Sequence, residues 1–100
     1  MKVIFLAEAK HDLDQIIDRL SDLNPLAAQA LKHRIRTQCL ALHQMPLRFR
    51  SRDDLALDLR CVPVDQHMIF YAVSLSQVRI VRILHSAMDI DGSHFAKDGN

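Results

Sequence analysis

Arg82 stands in the middle of Val78 to His85, Val-Arg-Ile-Val-Arg-Ile-Leu-His, a stretch whose other residues mostly suit an interior strand. Burying an unpaired guanidinium is costly. Arg82 must therefore meet a carboxylate or a carbonyl, reach the rim, or serve a site that uses its charge. His85 adds an imidazole whose ordinary pKa of about 6.5 suits acid or base work. Strand alternation groups Arg82 with Ile80 and Leu84, and His85 with Val81 and Ile83, so the two lie on opposite faces unless a bulge intervenes. Arg60 is a polar residue of an amphipathic strand, and Tyr71, the only tyrosine, suits a core ring with its hydroxyl at the edge. The run Arg48-Phe49-Arg50-Ser51-Arg52 combines cations with a ring able to stack on a base, although Asp53 and Asp54 follow and can neutralise it locally.

Other chemistries find little support. The six histidines lack carboxylate or cysteine companions at ligand spacing, so neither a metal nor another cofactor is expected. Cys39 and Cys61 are too far apart for a zinc site or a disulfide framework and read as packing residues. Ser74, Ser76 and Ser86 belong to no nucleophile motif, and the only glycines, Gly92 and Gly99, build no phosphate loop.

The elements that must position these residues follow from periodicity. Lys2 to Leu6 suggests a short strand. Ala9, Leu13, Ile16, Ile17, Leu20 and Leu23 fall at helical intervals, with acids on the opposite side. Asn24-Pro25 reads as a cap followed by a proline at the first helical position, because asparagine accepts from orphan amides and proline has no N–H to satisfy. The second helix buries Ala28, Leu31, Ile35, Cys39 and Leu42 and is stopped by Met45-Pro46. Strands are predicted near 57–62, 67–73 and 78–85, and their short connections imply antiparallel neighbours. The expected fold is a two-layer α+β domain, β-α-α-β-β-β, with a helical hairpin on one face of a small antiparallel sheet and the other face left available.

The chain of 100 residues is long enough for one domain, 1–100, with a tail from 90 to 100 expected to fray. It shows neither a membrane-spanning apolar run nor a targeting segment, which points to a soluble, cytoplasmic protein without a membrane partner. A net charge of +1 hides a segregation: Glu8, Asp12, Asp14, Asp18 and Asp22 come early, and Lys32, Arg34, Arg36, Arg48, Arg50 and Arg52 follow. Either the two helices attract one another, or the basic middle meets phosphate or an acidic protein.

In this order of elements the chain resembles the RelE/ParE superfamily of toxins from bacterial toxin–antitoxin pairs. Ala9 with Asp12-Leu13 and Ile16 is similar to the first-helix signature, and Asn24-Pro25 with Ala27-Ala28 to the turn that follows. Arg50, Arg52, Asp54-Leu55 and Leu59-Arg60 stand at matching intervals. Ile69-Phe70-Tyr71 and Ile80-Val81-Arg82-Ile83-Leu84-His85, with Ala87 and Asp89-Ile90, resemble the closing hairpin. Phe49, Asp58 and Ser86 stand where glycines are expected.

The ending Arg82-Ile83-Leu84-His85-Ser86-Ala87 resembles the ParE branch. That implies a type II toxin that inhibits growth by binding a protein target, in the best-known members DNA gyrase, and is neutralised by a cognate antitoxin approaching the helical hairpin and sheet edge. The residues expected to face the target are Arg48, Arg50, Arg52, Arg60, Arg82 and His85, with direct nucleic-acid binding a weaker possibility. A homodimer or a heterotetramer with antitoxin is compatible with the resemblance. The alternative is a RelE-like ribosome-associated endoribonuclease, for which only Arg60, Arg82, His85 and Tyr71 could move protons and stabilise the phosphorane.

Overall fold

A computed structural model describes residues 1–99, with side chains described through Phe95. The order is strand β1 (Lys2–Phe5), helix α1 (Ala7–Leu23), helix α2 (Pro25–Ala41), strands β2 (Leu59–Val64), β3 (His67–Val73) and β4 (Gln77–His85), then a 3-10 segment, Gly92–Gly99. The expected α+β architecture is therefore present, with one difference in the sheet. The strand order is β1-β4-β3-β2, and β1 pairs with β4 in parallel, so the sheet is mixed. β2, β3 and β4 are antiparallel neighbours.

The helical hairpin turns where its sequence says it should. Asn24 Oδ1 accepts from the Ala27 N–H at 3.1 Å, and Pro25 opens α2. The helix closes at Ala41, ahead of Pro46, through tightened bonds from His43 to Leu40 and from Gln44 to Ala41. Ala28, Leu31, Ile35, Cys39 and Leu42 are all buried, as their spacing requires. In α1 the apolar stripe is only partly used: Ala9 and Leu13 are buried, but Leu23 is 85% exposed, as is most of Leu26 across the turn. Among the described residues the ion pairs made by the helices run to the sheet and its turn and not to one another. Arg34 of α2 meets Asp65, and Glu8 and Asp12 of α1 meet Arg82.

Both faces of the sheet are covered, which corrects the expectation that one stays available. Ile69, Tyr71, Val78, Ile80 and Ile83 pack under the helices. Leu59, Cys61, Phe70, Val81 and Leu84 form a second apolar cluster with Phe95, Leu55, Ala56 and Ile90. Within the tail expected to fray, Phe95 is 3% exposed; the side chains beyond it, and residue 100 entirely, lie outside the described residues.

The grouping of side chains on β4 also differs from simple alternation. Ile80 pairs with Tyr71 and Arg82 with Phe70, so Val81 is an extra residue opposite their junction. This bulge separates Ile80 from Leu84 and returns Val81 to Leu84's face, while Ile80 and Ile83 share the helix face.

Two aspartates hold the tight turns. Asp65, in the two-residue turn between β2 and β3, has φ of 54°, and Asp58, where a glycine was expected, has φ of 61°. Asp58 keeps that conformation with its N–H on Asp53 Oδ1 at 2.9 Å. β2 forms the sheet's edge. A bridge between Ser51 and Arg60 covers part of its outer side, and Pro63, exposed and without an N–H, blunts the rest. Because left-handed backbone costs a β-branched residue roughly 1–2 kcal/mol, Asp58→Val should lower stability by that amount in urea titration, whereas Asp58→Gly should be neutral or stabilising.

Candidate functional site

The strongest electrostatic feature is built around Arg82. β1 covers β4 only as far as Ile80, whose carbonyl takes the Leu6 N–H. Beyond that point the chain has turned into α1, and Asp12 occupies the vacated edge. Asp12 Oδ2 accepts from the Ile83 N–H at 3.0 Å and from Arg82 Nε at 2.8 Å, and Oδ1 accepts from Arg82 Nη2 at 3.0 Å. Glu8, one turn earlier, lies 3.2 Å from Arg82 Nη1, which also donates to the His94 carbonyl at 3.1 Å. The side chains of Arg82 and Asp12 are only 17% and 10% exposed. Of the destinations open to a charge in this strand, Arg82 takes both a carboxylate and a carbonyl.

Asp12 was assigned to the polar side of α1, and the structure corrects this. Its position was visible in the spacing: it lies three residues after Ala9 and four before Ile16, on the inward side of the helix.

Arg60 is likewise turned to internal use. Its Nη1 donates to the carbonyls of Phe49 at 2.7 Å and Leu47 at 3.3 Å, pinning the basic loop to β2. Tyr71 is fully buried and donates its hydroxyl to the Pro46 carbonyl at 2.8 Å, and that burial raises its pKa. Arg60, Tyr71 and the partly buried Phe49 thus hold the 46–49 segment against the sheet. The expectation that Arg60 and Arg82 point outward is corrected: both guanidinium groups organise their own chain.

Two exposed cations lie in the loop itself. Arg48 and Arg50 are exposed, with the Arg48 guanidinium 5.3 Å from the centre of the Phe49 ring. Arg52 makes a two-pronged pair with Asp54, both bonds at 3.0 Å, so the local neutralisation anticipated for this run applies to Arg52.

His85 lies elsewhere, across the sheet from the Arg82 side chain. It faces His67 in the register of β3 and β4, with ring centroids 5.2 Å apart and planes at 77°. Its Nδ1 accepts from the Ala87 N–H at 3.0 Å. His67, which the sequence marked only as a strand end, keeps a buried Nδ1 with no hydrogen-bond partner among the described residues; desolvation, then the neighbouring His85, depress its pKa, against a smaller opposing pull from Asp65. The pair closes one end of a groove of about 530 Å³ walled by Ile16, Leu20, Leu23 and Leu31. Among the described residues, no three His, Cys, Asp or Glu side chains converge as metal ligands would, and no helix is long and apolar enough to cross a membrane.

Sequence comparison assigns a fold with these elements, in this order, to a class, the toxins of toxin–antitoxin systems. The chain belongs to the ParE toxin family of type II toxin–antitoxin systems, whose family model matches residues 3–90. It is 35% identical over 86 residues to Toxin RelE2 of Caulobacter vibrioides, covering 86% of this chain and 96% of that protein. It is similar in fold to a chain of the chromosomal ParDE system from P. aeruginosa, with a TM-score of 0.75 at 23% identity over 85% of this chain and 95% of that one.

Two measurements check the site's energetics. Removing one partner of a buried pair strands the other, so Asp12→Ala should cost about 3–5 kcal/mol, and the double variant Asp12→Leu/Arg82→Leu less than the sum of its singles, by urea unfolding. For His67, the unfolded imidazole takes a proton near its ordinary value of about 6.5 while the folded one resists it. The stability of the wild type relative to His67→Gln should therefore be constant above that pH and fall as pH drops through the depressed folded value.

Proposed function

We propose that this toxin arrests growth by binding a protein target, with DNA gyrase the first candidate, through the loop carrying Arg48 and Arg50, and that a cognate antitoxin neutralises it in the cytoplasm. The observation that carries this reading is the dispersal of the groups a ribonuclease would need. RNA cleavage requires a base for the 2′-hydroxyl, a cation at the phosphorane and an acid for the leaving oxygen, all reaching one phosphate. Here Arg82 is engaged by Asp12, Glu8 and the His94 carbonyl, Arg60 by two loop carbonyls, and Tyr71 by Pro46, while His85 sits across the sheet beside His67.

A binding toxin needs no such convergence. It needs a rigid platform that displays a few side chains, and the loop is fixed at its base by Arg60 and Tyr71 while Arg48 and Arg50 stay solvated. The likeness to a ParDE system supports an antitoxin partner, and acidic segments that order on binding suit a surface with exposed arginines and an apolar groove.

Inducing the chain alone should stop growth, and coexpression with the adjacent reading frame should restore it. The purified protein should inhibit gyrase supercoiling, and Arg48→Ala/Arg50→Ala should weaken that inhibition about tenfold, the scale of one lost charged contact, with unchanged unfolding. Codon-phased transcript cleavage that disappears in His85→Ala would instead establish the endoribonuclease.

A further inference from the structure

The backbone from Met45 to Phe49 is fixed carbonyl by carbonyl. The Arg48 N–H donates to the Met45 carbonyl at 3.2 Å and closes a turn with Pro46 at its first corner, a position that suits proline's fixed φ. The Pro46 carbonyl accepts from the Tyr71 hydroxyl at 2.8 Å, and Arg60 Nη1 donates to the carbonyls of Leu47 and Phe49. Tyr71 and Arg60 both belong to the sheet beneath. The turn is therefore held from below by side chains that are themselves placed by strands.

On this fixed backbone the second corner carries Leu47, 63% exposed, and Met45 at the start of the turn is 60% exposed. Turn corners favour Gly, Asn, Asp or Ser, so a solvated leucine here runs against the local chemistry. Exposure alone says little. Leu75, at the tip of the β3–β4 hairpin, is fully exposed, but its neighbours are Ser74 and Ser76. Leu47 has different company: Arg48 follows it and Arg50 comes next but one, both exposed. From Leu23 to Arg52 the chain contains neither Asp nor Glu.

The aromatic ring that a nucleic acid would stack on is committed elsewhere. Phe49 packs against the core, and the Arg48 guanidinium lies 5.3 Å from its centre. The side chains presented to solvent are thus apolar and cationic, a combination that fits a protein surface.

We infer that Leu47, with Met45 beside it in the turn, is the apolar anchor by which this loop enters a socket on a protein target, and that carboxylates on the socket's rim meet Arg48 and Arg50. This rests on the loop being the target-facing surface. An anchor on a fixed backbone gives up little freedom on binding, so most of its burial is retained as affinity. Rim charges act chiefly on the rate of encounter, whereas a buried anchor governs how long the complex lasts.

Binding kinetics on immobilised gyrase at low and high salt separate these roles. Leu47→Ser should unfold at the wild-type urea concentration, because its side chain is solvated, yet dissociate roughly tenfold faster or more, with association unchanged and little effect of salt. Arg48→Ala/Arg50→Ala should instead slow association, an effect that fades at high salt. Leu75→Ser should behave as the wild type. A Leu47→Ser protein that holds gyrase as long as the wild type overturns the anchor and leaves the gyrase assignment standing. If the wild type does not bind gyrase, that assignment alone fails, and growth arrest on induction decides: Leu47→Ser should lose it at equal expression, and arrest or transcript cleavage that persists undiminished overturns the anchor. A wild type that neither binds gyrase nor arrests growth overturns both.

Discussion

One carboxylate does for this sheet what a longer first strand would otherwise do. β1 is four residues long and leaves the edge of β4 open beyond Ile80. Asp12 supplies the missing acceptor to the Ile83 N–H and uses the rest of its hydrogen-bonding capacity on Arg82. A buried pair of this kind contributes little as attraction alone, because desolvation offsets most of the Coulomb gain. Its value lies in position. It fixes the first turns of α1 against β4, and through His94 it sets the tail on the opposite face. The bulge at Val81 belongs to the same arrangement, since it brings Arg82 into register with Phe70.

Arg60 and Arg82 are committed to contacts within the fold, so the proposed target surface is at the periphery. Arg60 and Tyr71 reach outward only as far as backbone carbonyls and so convert a long connection into a fixed loop. The loop's solvated cations, Arg48 and Arg50, then sit on a rigid base. Elsewhere on the surface, the exposed Leu23 lines a groove that also includes the histidine pair. The two regions differ in chemistry, one cationic and one apolar, which suits the proposal that they serve different partners.

Much of this was legible in the sequence wherever the interaction is local. The cap at Asn24, the proline at the head of α2, the stripe from Ala28 to Leu42 and the period-two segments after Leu57 all report on neighbours a few residues away. The glycine expected at position 58 by family resemblance has a physical counterpart, because Asp58 occupies left-handed backbone. What escaped was long-range. Strand alternation cannot reveal a bulge, and nothing near Arg82 names Asp12, which lies on another element. The cover over the second face is sparse, essentially Phe95, Ile90 and Leu55, too thin a pattern to register as an anchored segment. The arginines were visible as residues that required a reason, but their reason lay inside the fold.

The parallel pairing of β1 with β4 also governs when this molecule can exist during its own synthesis. The first strand to leave the ribosome has no partner until the last one follows, and Asp12 waits as long for Arg82 and Ile83. A chain cut short before β4 leaves β1 unpaired, Tyr71 without its inner neighbour strand, and the start of α1 without its tie. Interrupted translation before β4 therefore yields fragments lacking the finished sheet, and the molecule acquires its shape only once that strand has been made.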